Sequence, residues 1–401
     1  MITVTKQSCP LTSTTVFLMA VACAFAVSTL YYNQPLLASI GATFGRSDAD
    51  AGQIAMLTQL GYATGLLLLV PLGDRVDRKQ LILTLLIFNM ASLLAVALAP
   101  GFGPLKLASF AVGASAVTAQ IIIPVVSGLA SPQTRGRVVG TLLSGLSAGL
   151  LFARTLSGFV GAWGGWRTMF FLAVAIDLVV MAVVIAQLPQ TERVTALPYT
   201  ALLASLGSLL RNEPVLRAAC VTGFLMFAAF SALWSTLAML MARPPYHFGP
   251  DTVGAFGFVG IAGLLASPVI GRLVDRVGSR RMLLAGALIL SIAFLLVGIS
   301  ASHLWLLLAA MALIDIGNRA GLVANQSRIT ALSITARSRL NTLFMTSYFL
   351  GGATGTAVGA GMAAIWGWHG LAITGFVFAL AALCAHLLMT PFAAMPSSTH
   401  A

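Results

Sequence analysis

Ten acidic side chains serve 401 residues, and two of them interrupt long apolar stretches. Asp315 lies about twelve residues into the run 303–325, with Asn318 and Arg319 following it. Residues four apart share a helix face, so Asp315 and Arg319 can pair. An aspartate influenced by a neighbouring arginine and by changing hydration suits proton or cation coupling. The plainer reading is a fixed ion pair that ties helix to helix. Arg154, in the run 138–161, has no acid within one turn. It could hold an anionic group of a bound molecule, or neutralise Asp177, midway along the run 167–188. For Asp177 itself a structural role is expected. A polar and aromatic tract, Tyr31, Tyr32, Asn33, Gln34 and Pro35, closes the first run. Moved by 202 positions, Tyr32 falls on Trp234, followed by Ser235 and Thr236. Two such rings could stack on a flat compound while Asn33 and Gln34 orient it. Tyrosine and tryptophan also fill ordinary membrane-interface belts.

Other chemistries find no footing. There is no Walker string and no nucleophile elbow in context. Histidines 247, 303, 369, 386 and 400 lack ligand spacing, and Cys9, Cys23, Cys220 and Cys384 are scattered. No enzyme activity, no cofactor and no metal are expected.

The elements that carry these residues are apolar helices. The chain is 59% hydrophobic and 8% charged, with a mean hydropathy of +0.97, whereas soluble domains carry about a quarter charged residues. Twelve runs, near 15–38, 50–72, 80–99, 104–130, 138–161, 167–188, 217–241, 250–272, 281–300, 303–325, 339–364 and 368–391, are each long enough to cross a bilayer. Gln59, Gln120, Asn325 and Gln326 within them are expected to hydrogen-bond helix to helix. With the N-terminus placed inside, the inner loops and tail hold sixteen Lys/Arg and the outer loops four. That bias puts both termini in the cytoplasm and reads the net charge of +12 as topology and lipid attraction, not nucleic-acid binding. The expected organisation is a six-helix bundle over 1–188, a cytoplasmic connector over 189–216 whose middle (199–211) forms a short surface helix, and a second six-helix bundle over 217–401. The tail from Pro391 is short and polar.

The halves repeat. LGDRVDRK at 72–79 answers GRLVDRVGSRR at 271–281, Asp74 and Asp275 being 201 positions apart. The Gly-Trp pair at 165–166 recurs at 367–368. Gly145, Gly149, Ala153, Ser157 and Gly161 recur as Ser347, Gly351, Gly355, Gly359 and Ala363. Each set forms one smooth helix face, for tight packing or as a seam along which the halves rock. Duplicated halves in a membrane protein point to transport.

These motifs resemble the major facilitator superfamily across essentially the whole chain, in its twelve-helix drug:proton antiporter-like branch. Gly271, Leu273, Asp275, Arg276, Gly278, Arg280 and Arg281 fit the family's loop motif; Leu72, Asp74, Arg75, Arg78 and Lys79 fit it in the first half, where Val70 and Asp77 replace the glycines. The fifth run lacks the branch's Gly-Pro pair, and the fourth lacks its early arginine. The tracts YYNQPLL (31–37) and SRLNTLFMTSYFLGGATG (338–355) look like an uncharacterised bacterial branch. The resemblance implies an all-α polytopic fold of two pseudosymmetric six-helix bundles, with the first, fourth, seventh and tenth helices lining a central cavity. It makes Asp74, Arg75, Arg78, Asp275, Arg276 and Arg280 gating residues, with each aspartate latched to a helix N-terminus of the other half.

The resulting expectation is a monomeric secondary transporter in the bacterial inner membrane. It carries a small organic compound by alternating access, with protons as the coupled ion and efflux as the direction. Asp315 and Arg319 couple protons; Tyr31, Tyr32, Asn33, Gln34, Arg154, Trp234 and Asn318 contact substrate. The alternatives are uptake or facilitated diffusion of an anionic metabolite, and a receptor that has kept a transporter fold.

Overall fold

The computed structural model describes residues 12–131, 133–190, 198–300, 303–333 and 336–389. Lys6, Cys9, Arg193, residues 191–197 of the connector, the tail from Pro391 and His400 lie outside them. The helices run in order: α1 (Ser13–Ser28), α2 (Leu37–Thr43), α3 (Asp48–Leu68), α4 (Arg78–Ala97), α5 (Phe102–Ser115), α6 (Thr118–Leu129), α7 (Arg135–Gly164), α8 (Trp166–Gln187), α9 (Tyr199–Asn212), α10 (Pro214–Met241), α11 (Pro250–Ala255), α12 (Ile261–Val277), α13 (Ser279–Ile299), α14 (Leu304–Thr330) and α15 (Arg337–Met389). Ten helical stretches among the described residues are long and apolar enough to cross a membrane. The 53-residue α15 holds a non-helical Gly367 and counts as two spans. With α1 and its continuation through α2, the expected twelve are reached, and the fold is all-α. The middle of the connector is helical as expected, in α9.

The turns follow from residue chemistry. Gly165 ends α7 at φ +79, Gly278 parts α12 from α13 at φ +86, and Gly367 breaks α15 at φ +56. Those backbone angles favour glycine, so the repeated Gly-Trp is one reversal used twice. In the first half Asp77 replaces the motif glycine, and the turn is built differently. Asp77 keeps a negative φ, and its carboxylate accepts from the Gln80 N–H at 3.1 Å, capping α4.

The first span is discontinuous. α1 stops at Ser28, and a short 3-10 turn, Gln34–Leu36, leads into α2. Pro35 keeps the span from running on as one regular helix, because it has no N–H for the Tyr31 carbonyl and its ring crowds that group. The intervening residues are buried, and irregular backbone at this depth needs partners from the protein.

By contact density the chain forms two compact units. One holds the described residues up to Arg46, Leu57–Tyr199 and Tyr246–Phe258; the other holds Ser47–Met56, Thr200–Pro245 and the described residues from Val259 onward. Within the first, α1 packs on α7 and α4 on α8 and α5; within the second, α10 packs on the first part of α15 and α13 on α14. The small-residue stripes serve these internal contacts. A methyl at Gly145 or Gly149 would collide with the backbone of Ala20 or Ala24, and one at Gly351 or Gly355 with that of Phe224 or Ala228. Each stripe therefore holds a helix of its own unit at backbone contact. Large apolar side chains cover the outside: Trp163 is 93% exposed and Trp305 82%, as a lipid-facing surface requires.

Candidate functional site

In the first unit the break in the first span gathers polar groups. Tyr31, Tyr32, Asn33, Gln34 and Arg154 are all buried. Arg154, ten residues before the end of α7, donates from Nε to Gln34 Oε1 at 2.8 Å. Its guanidinium carbon lies 4.8 Å from the centre of the Tyr31 ring, a cation–π distance. Ser157, one turn nearer the C-terminal end of α7, donates its hydroxyl to the Tyr32 carbonyl, and Ser28 Oγ donates to the Gly149 carbonyl at 3.0 Å. The loosened backbone of the first span is thus tied to α7 on both sides of the break.

Three of the expected substrate residues, Tyr31, Gln34 and Arg154, therefore form one cluster. Asn33 turns elsewhere, donating to Thr58 Oγ1 of α3 at 2.9 Å. Gln120 of α6 donates to Tyr62 Oη at 3.3 Å, the helix-to-helix role expected of it. Asp177 is 1% exposed on α8 and makes no ion pair with Arg154. Sequence reasoning missed Thr58 and Tyr62; their four-residue spacing on α3 was the available signal.

In the second unit Asp315 lies on α14, partly exposed, and packs against α12. A Cβ at Gly263 would lie 3.2 Å from the Asp315 Cβ, so the missing side chain lets α12 approach α14 closely at Asp315. Arg319 is also partly exposed. The Asp315–Arg319 ion pair that the spacing allowed is not formed; Arg319 makes no hydrogen bond or ion pair with a described residue. Asn318 instead reaches Tyr348 of α15, Nδ2 donating to Oη at 2.9 Å, with Oη 3.2 Å from Oδ1. The Tyr348 ring stacks on Phe227 with centroids 3.9 Å apart. Phe230 and Trp234 continue that aromatic row along α10. Trp234 thus belongs to a buried cluster with Phe227 and Tyr348, which sequence reasoning missed. Spacing of three and four residues on α10 marked Phe227, Phe230 and Trp234 as one face. Asn325 donates to Thr222 Oγ1 at 3.1 Å, as expected of a helix-to-helix bond.

The residues expected to gate lie at or near the ends of their helices. Asp74 ends a 3-10 turn, Val70–Asp74, and pairs with Arg78 at 2.8 Å. Arg78 Nε donates to the Gly73 carbonyl at 2.8 Å. Arg75, Asp275 and Arg276 are exposed, and Arg280 is partly exposed. Asp275 lies inside the last turn of α12, because the helix runs past the expected 272 to Val277 before Gly278 ends it.

Among the described residues, the long apolar helices, with Arg154 and Asp177 buried in one unit and Asp315 midway along a span of the other, are those of a polytopic membrane protein. The chain belongs to the Major Facilitator Superfamily, whose profile matches residues 16–266 and 219–399. It is 36% identical over 376 residues to "Uncharacterized transporter YgaY" of Escherichia coli O157:H7, covering 94% of this chain and 95% of that one. "Probable transporter SCO4007" of Streptomyces coelicolor is 32% identical over 355 residues, covering 88% and 82%. Among solved structures, a bacterial homolog of the human lysosomal transporter Spinster, in an inward-facing and occupied conformation, has a TM-score of 0.78. That likeness covers 94% of this chain and 96% of the other at 16% identity, and it is one of fold.

Proposed function

We propose that this transporter exports a small organic compound from the bacterial cytoplasm by alternating access, driven by the inward proton gradient. It works as a monomer in the inner membrane with both termini cytoplasmic. The observation that carries this reading is Asp315: an acid midway along α14, packed against Gly263 of α12 with its Oδ2 buried. A mid-membrane acid is costly to keep charged unless it meets water or a partner, which suits it to binding and releasing a proton. Asp315 is the proton-linked group; Arg319, unpaired with it here, acts on it as a neighbouring charge. Tyr31, Gln34 and Arg154 contact substrate, with Tyr32 and Asn33 shaping their surroundings. The six charged gating residues set the cytoplasmic ends.

One observation favours a second reading. Arg154 is held by Gln34 and lies over the Tyr31 ring, an arrangement suited to a carboxylate attached to an aromatic group. Under that reading the protein takes up, or equilibrates, an anionic metabolite. Proteoliposomes with an imposed pH gradient separate the two. Ethidium and benzoate are each offered while internal pH and compound are followed. Movement of a compound against its gradient, opposite to protons, supports export. Inward movement with protons, or movement indifferent to the pH gradient, supports the second reading.

A further inference from the structure

The export reading uses Asp315 and leaves another mid-membrane acid unexplained. Asp177 is the eleventh residue after Trp166 opens α8, and Arg154 is ten residues before Gly164 closes α7, so the two lie at about the same depth. Arg154 is turned to Gln34 and Tyr31. Asp177 Oδ2 is buried and accepts no hydrogen bond among the described residues. Its carboxyl lies within electrostatic range of the Tyr32 hydroxyl, and Tyr32 belongs to the break in the first span. Consecutive tyrosines thus neighbour the two charged groups: Tyr31 lies against Arg154, and Tyr32 is within electrostatic range of Asp177.

We infer that Asp177 is a second proton-binding site, a carboxylic acid stored behind the break in the first span. The inference rests on the proton-coupled reading and deepens it. A buried carboxylate oxygen without a donor is poorly accommodated in a medium that cannot solvate it, whereas the neutral acid is tolerated. The surroundings offer little to stabilise the charge. Of the helices packed on α8, the first span carries Cys23, Tyr31 and Tyr32, α7 carries Arg154, engaged with Gln34, and α4 carries Arg78 and Lys79 at its start. Lys79 is committed to the Ile185 carbonyl, eight residues along α8, roughly 12 Å away. The step is one proton transfer: the O–H bond of Asp177 breaks, water takes the proton, and the carboxylate remains. It becomes possible when the segment from Thr29 to Asn33 moves and carries Tyr32 away. That segment has few helical hydrogen bonds to lose; its ties to α7 include the Ser157 hydroxyl and the Tyr31–Arg154 contact, with the Ser28 and Gln34 bonds to α7 flanking it.

The test uses the full-length protein in lipid, the proton as ligand, and infrared spectra in H2O and D2O for wild type, Asp177→Asn, Asp315→Asn and Tyr32→Phe. The inference predicts a carboxylic C=O band from an apolar setting that Asp177→Asn removes, Asp315→Asn leaves and Tyr32→Phe shifts. A wild-type spectrum that Asp177→Asn does not change overturns it, whatever Asp315 does. Should Asp177→Asn fail to fold, Tyr32→Phe decides: a shifted band supports the site and an unshifted one overturns it. Failure of the underlying reading has a different signature, the absence of compound-driven proton movement with the Asp177 band still present.

Discussion

Replacing Gly149 by alanine sets two effects against each other, and the structure says which wins. Alanine is the better helix former by up to about 1 kcal/mol. At Gly149, however, the added methyl points into the Ala24 backbone, and backbone cannot rotate aside. The helices must part by roughly 1 Å at a close-packed seam, and overpacking of that kind costs about 1–3 kcal/mol. The collision therefore outweighs the propensity. Gly140 on the same helix is the internal control, because a methyl there meets nothing within 4 Å. The same contrast exists in the second half between Gly355, which faces the Ala228 backbone, and Gly361, which faces open space. Each pair should differ by about 1–3 kcal/mol, with the control alanine neutral or stabilising. Thermal unfolding in detergent, followed by size exclusion after heating, reads this as several degrees between members of a pair. Equal midpoints for Gly149→Ala and Gly140→Ala would refute the assignment of the stripes to packing inside each half.

Asp77→Ala should lower stability by about 1 kcal/mol through loss of the α4 cap, while Asp77→Asn should stay within a few tenths; thermal midpoints check both. Gly165→Ala and Gly367→Ala should each cost about 1–2 kcal/mol, because both positions have positive φ. Tyr348→Phe should cost about 1 kcal/mol by leaving Asn318 without its partner while keeping the ring stack, and Asn318→Ala in the same background should cost less than in wild type. If Arg154 holds an anionic group, Gln34→Leu should weaken transport of that compound roughly 10- to 100-fold through loss of a hydrogen bond to a charged partner. An unchanged half-saturating concentration would argue against it.

The spans and reversals were legible because membrane helices are long, apolar and bounded by residues with fixed backbone preferences. Gly165 and Gly367 announced their turns by sequence alone. Asp77, which looked like a defect in the motif, turned out to replace a glycine's freedom with a cap. What stayed illegible depends on contacts far apart in the chain. Gln34 and Arg154 are 120 residues apart, and Asn318 and Tyr348 are 30 apart. The spacing of Asp315 and Arg319 allowed a pair, yet side chains one turn apart can take other rotamers, and these do. The stripes were read correctly as small faces, but spacing cannot name the helix that lies on them. The break after Ser28 was hidden because Tyr31 and Tyr32 prolong the apolar run, although Pro35 was the clue.

The central claim is that compound binding and proton release are linked through Asp315. The most direct measurement records pH in a weakly buffered detergent solution of the purified protein as ethidium, benzoate and related aromatic cations and anions are added. The account predicts proton release with at least one compound in wild type, and binding without release in Asp315→Asn. Binding without proton release in wild type, or release that persists unchanged in Asp315→Asn, would contradict it.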